Sequence, residues 1–193
     1  MKNDIILAGV GGQGILSIAA IIGYAAVKSN LYLKQAEVHG MSQRGGDVQS
    51  HLRLSSEEIY SDLIPEGKAD MIISVEPMES LRYLPFLHSA GWLITNTEPF
   101  VNISNYPDEK DVMAEIRKQP RHVALDAGKM AEEAGSKKSA NVVILGAASP
   151  FIDIPFEKLE EAIHFLFEKK GEDLVEINLK ALRAGREYAQ TNK

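Results

Sequence analysis

Short apolar runs and helical patterns alternate along the 193-residue chain, with Gly, Pro and Asn between them. Short apolar runs flanked by turn residues favour buried strands, whereas apolar positions spaced three and four apart favour helices. The alternation predicts an α/β fold, an open and mostly parallel sheet with helices on both faces. The expected strands are 5–9, 31–38, 48–54, 71–75, 92–95 and 122–126, and the expected helices are 15–28, 78–87, 108–118, 127–134, 155–170 and 174–189.

One apolar segment fits either type of element. Residues 141–148, NVVILGAA, are apolar after the first position. A short run of this kind carries no periodicity that separates a buried strand from a buried helix. The sequence leaves both assignments open.

The composition excludes several classes of function. The formal net charge is −6, so we expect no nucleic-acid partner. The chain has no cysteine, which excludes disulfides, thiolate metal sites and iron–sulfur ligation by its own residues. No apolar run approaches the length of a membrane span, and glycines interrupt the N-terminal run, so we expect a cytoplasmic protein without membrane contact. Residues 1–193 are expected to form a single domain.

A glycine-rich loop follows the first expected strand. Residues 9–14, GVGGQG, match the pattern G-x-G-x-x-G through Gly9, Gly11 and Gly14. Between a strand and a helix, such glycines allow a tight turn and let backbone N–H groups approach an anion, as in Rossmann-like folds. The alternative is that the glycines only let the helix pack closely against the strand. The candidate loop residues are Gly9, Gly11, Gly12, Gln13 and Gly14.

A dinucleotide-binding protein would also place an acidic residue at the end of the second strand. Glu37, 23 positions after Gly14 (37 − 14), has about that spacing. The chain shows no second domain for a substrate, which makes a nicotinamide dehydrogenase the weaker interpretation.

A polar and glycine-rich segment, residues 36–46, follows the second expected strand. Its letters, AEVHGMSQRGG, provide almost nothing that could fill a core, so we expect a loop that faces an anion or a partner. The candidate residues here are Glu37, His39, Ser42, Gln43, Arg44, Gly45 and Gly46.

Arg44 carries the most specific chemistry of this segment. A guanidinium binds carboxylate or phosphate through two parallel hydrogen bonds, although an ion pair with a local acid is an equal alternative. Gly45 and Gly46 would allow close backbone approach to the bound group. His39 could relay a proton, but a lone histidine favours a structural or interface role. No metal site is expected, because no second ligand is suitably spaced.

Glu76 and Asn96 each follow an expected strand, where open α/β sheets form their binding crevice. Both are second-tier candidates for the site. Helix capping is the simpler alternative for these residue types.

Several segments together resemble a known family. They are GVGGQG, AEVHGMSQRGG, VEPMESLRYLPFL, NVVILGA and INLKALRAGREYA, and they extend from about residue 4 to residue 189. The chain resembles the small β subunits of indolepyruvate:ferredoxin oxidoreductases, which are homologous to the gamma subunit or gamma domain of the 2-oxoacid:ferredoxin oxidoreductases. HGMSQRGG is the most specific of these matches.

The resemblance implies a two-subunit enzyme that oxidatively decarboxylates indolepyruvate and other aryl pyruvates with coenzyme A and reduces ferredoxin. It implies that thiamine diphosphate and the iron–sulfur clusters lie on the large α subunit, which agrees with the absence of cysteine here. This chain would then have no catalytic residue of its own and would be inactive alone, as one gamma-type domain over residues 1–193. The alternatives are a free-standing dinucleotide-binding protein and a purely structural subunit.

Overall fold

The computed structural model describes residues 1–39, 46–101 and 103–192. The strands are β1 (Lys2–Val10), β2 (Tyr32–His39), β3 (Asp47–Ser55), β4 (Ala69–Ser74), β5 (Leu87–Asn96) and β6 (His122–Leu125). The helices are α1 (Ile15–Lys28), α2 (Pro77–Arg82), α3 (Glu109–Arg117), α4 (Ala127–Ala134), α5 (Ala140–Ala148), α6 (Phe156–Phe167) and α7 (Glu172–Thr191).

The strands form one six-stranded sheet in the order β2-β3-β1-β4-β5-β6. Strands β1, β4, β5 and β6 are parallel neighbours, whereas β3 is antiparallel to both β1 and β2. The predicted α/β class with a mostly parallel sheet is confirmed. β2 and β3 form an antiparallel hairpin, and β3 is the strand of this hairpin that pairs with β1.

Helices cover both faces of the sheet. Ile5 and Leu7 of β1 pack on one face with α1, α5, α6 and α7, and the intervening Ile6 and Ala8 pack on the other face with α3 and the segment before it. This division follows from the alternation of side chains along a strand. The core is therefore two apolar layers separated by the sheet.

Residues 140–148 form a helix, which resolves the open assignment. Residues 141–148 of α5 are all buried, so no polar stripe reports the helical period. A β-carbon on Gly146 would lie 2.1 Å from the carbonyl oxygen of Leu182, and one on Gly185 would lie 1.9 Å from that of Val143. The two glycines thus let the backbones of α5 and α7 touch.

The helix expected over 78–87 is shorter than predicted. Helix α2 ends at Arg82, residues 84–86 form a 3-10 turn and β5 already begins at Leu87. Pro85 has no N–H to continue an α-helix and disfavours a helical conformation for Leu84.

No helix in the described part of the chain combines the length and the apolar character that crossing a membrane requires.

Candidate functional site

A cleft of about 780 Å³ opens at the carboxyl ends of the parallel strands. From β1 the chain crosses to the β2–β3 side, whereas β4 continues to β5 on the other side. The boundary between β1 and β4 is therefore the switch point at which open α/β sheets bind ligands. The glycine loop, the ends of β4 and β5 and the start of α5 line the cleft.

Internal contacts fix the glycine loop. Gly11 donates its N–H to the carbonyl oxygen of Gly46 at 2.8 Å, and the side chain of Gln13 accepts from the N–H of Val10 at 2.8 Å. A β-carbon on Gly9 would lie 2.4 Å from Cγ2 of Val75, so glycine is needed where β1 approaches the end of β4. The loop is therefore preformed, and the contact to Gly46 places the end of segment 36–46 beside it.

Gly14 has a left-handed backbone conformation, with φ of 82°, and precedes the first turn of α1. Its carbonyl oxygen accepts a hydrogen bond of 3.0 Å from the side-chain amide of Asn141, in the first turn of α5. A β-carbon on Gly14 would lie 2.6 Å from this amide nitrogen. The N-termini of α1 and α5 are thus joined at the cleft.

The start of α5 provides polar groups that face the cleft. Ser139 is 2% exposed and lines the cleft, and its hydroxyl makes no capping hydrogen bond to the described residues. The N-terminus of a helix carries a partial positive charge, although the N–H of Ala140 already donates to the carbonyl oxygen of Lys137. Lys137 and Lys138 precede Ser139 and line the same cleft. The arrangement suits an anion.

An ion pair lies across one side of the cleft. Nζ of Lys137 is 2.7 Å from Oε1 of Glu98, and both side chains are exposed. The hydrogen bond to Glu98 raises the pKa of Lys137 above its ordinary value. Lys138 makes no ion pair with any residue that the structure describes, so its ammonium group is available to a ligand.

Asn96 connects three elements at the base of the cleft. Its amide nitrogen lies 3.4 Å from the carbonyl oxygen of Val75, and its side-chain oxygen accepts from the N–H groups of Ala127 and Glu98 at 3.1 and 3.3 Å. The side chain is 7% exposed and lines the cleft. Asn96 therefore positions the loop after β5 and the start of α4.

Glu76 is fully buried and caps a helix. Its Oε2 accepts from the N–H of Glu79 at 2.8 Å, which caps α2. Its Oε1 accepts from the N–H of Phe100 and the hydroxyl of Tyr106. These contacts are those of a structural residue beside the cleft.

Segment 36–46 is described only in part. Glu37 is paired with Ser50 in the β2–β3 hairpin, and β3 separates it from the glycine loop of β1. A ribose-binding acid belongs on the strand next to β1, so this position argues against a dinucleotide site. Ser42, Gln43, Arg44 and Gly45, and the side chain of His39, lie outside the described residues.

The sequence pattern did not point to the residues at the start of α5. Ser139, Lys137 and Lys138 precede a segment whose helical nature was open, so no helix N-terminus could be assigned there. A weak signal was present, since Ser136 and Ser139 are typical N-cap residue types and the polar stretch SKKSAN leads directly into an apolar run. Among the described residues, the His, Asp and Glu side chains form no cluster of three that could hold a metal ion.

The chain belongs to the pyruvate ferredoxin/flavodoxin oxidoreductase family, which it matches over residues 4–188. It is 40% identical to the indolepyruvate oxidoreductase subunit IorB of Archaeoglobus fulgidus, across 96% of this chain and 94% of that subunit. It is 37% identical to the subunit of the same name from Thermococcus kodakarensis, across 95% of this chain and 94% of that one. The resemblance to the gamma-type small subunits is confirmed.

Solved structures share the fold. The gamma subunit of a keto/oxoacid ferredoxin oxidoreductase from Geobacter sulfurreducens has a TM-score of 0.71 at 24% identity, covering 98% of this chain and 99% of that one. The 2-oxoglutarate:ferredoxin oxidoreductase of Magnetococcus marinus, solved with 2-oxoglutarate, coenzyme A and succinyl-CoA bound, has a TM-score of 0.80 at 24% identity. That match covers 100% of this chain but only 32% of the longer chain.

Proposed function

We propose that this chain is the small subunit of an indolepyruvate:ferredoxin oxidoreductase, a single gamma-type domain that holds a phosphate group of coenzyme A in its cleft. The observation that carries the second part is the start of α5. There Ser139, which is 2% exposed, Lys138, which makes no ion pair with the described residues, and the first residues of α5 line one cavity.

The chemistry of this donor set fits a phosphate. A helix N-terminus supplies N–H donors and a positive electrostatic field, and a lysine adds a point charge. Ser139 is 2% exposed and lines the cleft, and its hydroxyl lacks a capping partner in the described structure, so a ligand oxygen could satisfy it. Coenzyme A carries phosphate groups that need such donors, whereas indolepyruvate offers only one carboxylate.

In the proposed enzyme the large α subunit would carry thiamine diphosphate and the iron–sulfur clusters. For the clusters this agrees with the sequence, because this chain has no cysteine to ligate one. The assembled enzyme would transfer the acyl group left after loss of carbon dioxide to the thiol of coenzyme A, and the released electrons to ferredoxin. The small subunit would bind and orient coenzyme A, in the cytoplasm.

Segment 36–46 is proposed to complete the same site. Its support is the hydrogen bond from Gly11 to Gly46, which brings the end of this segment to the glycine loop. Arg44 would then hold a carboxylate or phosphate, with Glu37, Ser42 and Gln43 fixing the segment through local hydrogen bonds. We expect Arg44→Ala to leave the subunit folded and to lower kcat/KM for coenzyme A or indolepyruvate in the assembled complex; unchanged values for both would contradict this role.

Kinetics of the co-expressed two-subunit complex test the cleft. Lys138→Ala and Ser139→Ala should each raise KM for coenzyme A, by about 10-fold for a lost charge-assisted contact, while KM for indolepyruvate stays unchanged. Lys110→Ala is the control, because Lys110 is equally exposed but lies on α3, on the other face of the sheet. An unchanged KM for coenzyme A in both cleft variants would refute the phosphate site.

A further inference from the structure

The loop between β5 and α3 displays three apolar side chains. Phe100, Val101 and Ile103 are 44%, 65% and 41% exposed. We call residues 97–101 and 103–108 the rim loop, because Glu98, Pro99 and Phe100 also line the cleft. Apolar side chains grouped on one surface segment are typical of interaction sites, whereas single exposed apolar residues are ordinary.

Buried Glu76 holds the rim loop in place. Its Oε1 accepts from the N–H of Phe100 at 3.3 Å and from the hydroxyl of Tyr106 at 2.5 Å. Burial and the adjacent Glu76 raise the pKa of Tyr106 above its ordinary value, so the tyrosine remains a donor. Contacts near both ends of the loop thus fix the backbone that carries the exposed side chains. A preformed surface loses less conformational entropy when a partner binds.

We propose that the rim loop is a docking surface for the large subunit of the oxidoreductase. This inference rests on the proposed function. The thiol of coenzyme A must reach an acyl group that is held on the large subunit, so the mouth of the cleft has to face that subunit. Phe100 lies at this mouth and belongs to the apolar group. Docking there would bury the three side chains and shield the cleft from water.

In some related proteins this fold is part of a much longer chain, which agrees with a large partner packing against it. The matched region is 32% of the Magnetococcus marinus chain and 36% of ketoisovalerate oxidoreductase subunit VorA from Methanothermobacter marburgensis. In such proteins the same fold is continuous with about twice its own length of further polypeptide. A second copy of the present chain is a poorer occupant, because it would block the path from the cleft to the large subunit.

Assembly of the two subunits tests the docking surface. Val101→Asp would bury an unpaired carboxylate in the interface and should weaken the affinity for the large subunit by about 100-fold, measured by titration of the purified subunits. Val27→Asp is the matched control, since Val27 is 61% exposed on α1 and away from the cleft. Both variants should unfold at the wild-type temperature, because neither side chain is buried in the isolated chain.

Tyr106→Phe supplies a second, milder variant. It removes one anchor of the rim loop without changing its exposed side chains. The affinity should fall less than for Val101→Asp, and hydrogen exchange of residues 98–106 should become faster.

Specific outcomes overturn the inference. Wild-type affinity for Val101→Asp, or an equal loss for Val27→Asp, would show that the rim loop is not the interface. A wild-type dimer of the small subunit that Val101→Asp converts to a monomer, with affinity for the large subunit unchanged, would assign the surface to a second copy. Failure of the coenzyme A site has a different signature: KM for coenzyme A would be unaffected by Lys138→Ala and Ser139→Ala even though Val101→Asp blocks assembly.

Discussion

The side-chain amide of Asn141 donates a 3.0 Å hydrogen bond to the carbonyl oxygen of Gly14, which lies 127 positions earlier in the chain. This bond connects the glycine loop to the first turn of α5, the two elements that face each other across the cleft. Asn141 is 9% exposed, so the bond is largely protected from water. This contact therefore ties the glycine loop directly to the start of α5.

We expect Gly14→Ala and Asn141→Ala to be coupled in stability. Asn141→Ala should cost about 1 kcal/mol for the lost hydrogen bond. Gly14→Ala should cost about 1–3 kcal/mol, because alanine is strained at this positive φ and its β-carbon clashes with the amide of Asn141. In the double variant the clash is absent, so urea unfolding should give a total smaller than the sum.

Gly12→Ala is the control for this cycle. Gly12 also has a positive φ, of 101°, but no atom of the described residues lies within 4 Å of an added β-carbon. The loss in unfolding free energy caused by Gly12→Ala should therefore add to the loss caused by Asn141→Ala. Equal coupling in both cycles would mean that the contact between residues 14 and 141 is not responsible.

The contact of α5 with α7 predicts opposite effects for two helical glycines. Gly185→Ala should destabilise the protein by about 1–3 kcal/mol or more, because the new methyl group meets the backbone of Val143, which cannot move independently. In Gly23→Ala the only described atom near the methyl group is Cδ2 of Leu33, at 3.1 Å, at the end of a flexible side chain, and alanine favours the helix by about 1 kcal/mol. Thermal unfolding should show a lower Tm for Gly185→Ala and an unchanged or higher Tm for Gly23→Ala. A similar loss in both would contradict backbone contact as the cause.

His51 should make stability depend on pH below neutrality. The side chain is 4% exposed, and its Nδ1 accepts the N–H of Ile64 at 3.0 Å. Burial, and then the charge of Arg53, lower the pKa of His51 below its ordinary value of 6.5. Below that pH the unfolded chain binds more protons than the folded chain, so this contribution to the unfolding free energy is complete above pH 6.5 and decreases as the pH falls towards the folded pKa.

His51→Gln isolates this contribution. Glutamine can accept the same N–H but cannot be protonated in this range, whereas all carboxylates are retained. Urea unfolding at pH 7.5 and 5.5 should show that the wild type loses more stability than the variant between the two values. Parallel pH profiles would indicate that His51 does not titrate differently in the folded and unfolded chains.

The buried ion pair of Asp4 and Arg53 should matter far more than an exposed one. Asp4 is 1% exposed and accepts from Nε and Nη2 of Arg53 at 2.7 and 3.0 Å. Arg53→Met leaves this buried carboxylate with Lys2 as its ion-pair partner among the described residues, and should cost about 3 kcal/mol in the free energy of unfolding, at the lower end for a broken buried pair. In Arg183→Met the lost partner is Glu160 at the surface, and the cost should be below about 1 kcal/mol. Comparable losses in the two variants would contradict this difference in burial.

Local patterns identified most of the secondary structure. The apolar run of β4 and the amphipathic helix after Pro155 could be read directly. A strand buried on both faces leaves a short continuous apolar run, and a helix with one apolar stripe leaves a signal with the helical period. The glycine pattern at 9–14 also marked one wall of the cleft, because its meaning depends only on the strand before it and the helix after it.

Other features depended on contacts that no local pattern records. The sequence could not assign residues 141–148, since a helix buried all round has no polar face. In the structure Gly146 lies against the backbone of Leu182 and Gly185 against that of Val143, so α5 packs closely on α7. The start of α5, with Ser139 and Lys138, lies near the glycine loop because α5 packs on the same face of the sheet as α1. From the sequence, Glu76 could be either a ligand-binding residue or a helix cap. Its partners Phe100 and Tyr106 lie beside it because the chain folds back towards α2 after β5.

The sequence alone thus determined the α/β class, the glycine loop and the relation to the gamma-type subunits, because these follow from spacing over a few residues or from motifs preserved in order. Only the tertiary structure decided that β3 separates Glu37 from the glycine loop and that the second wall of the cleft is the N-terminus of α5. The physical reason is sequence separation. Strand order and helix packing depend on contacts between residues that are tens of positions apart, as in the pairing of β1 with β4, or more than a hundred apart, as Gly14 and Asn141 are.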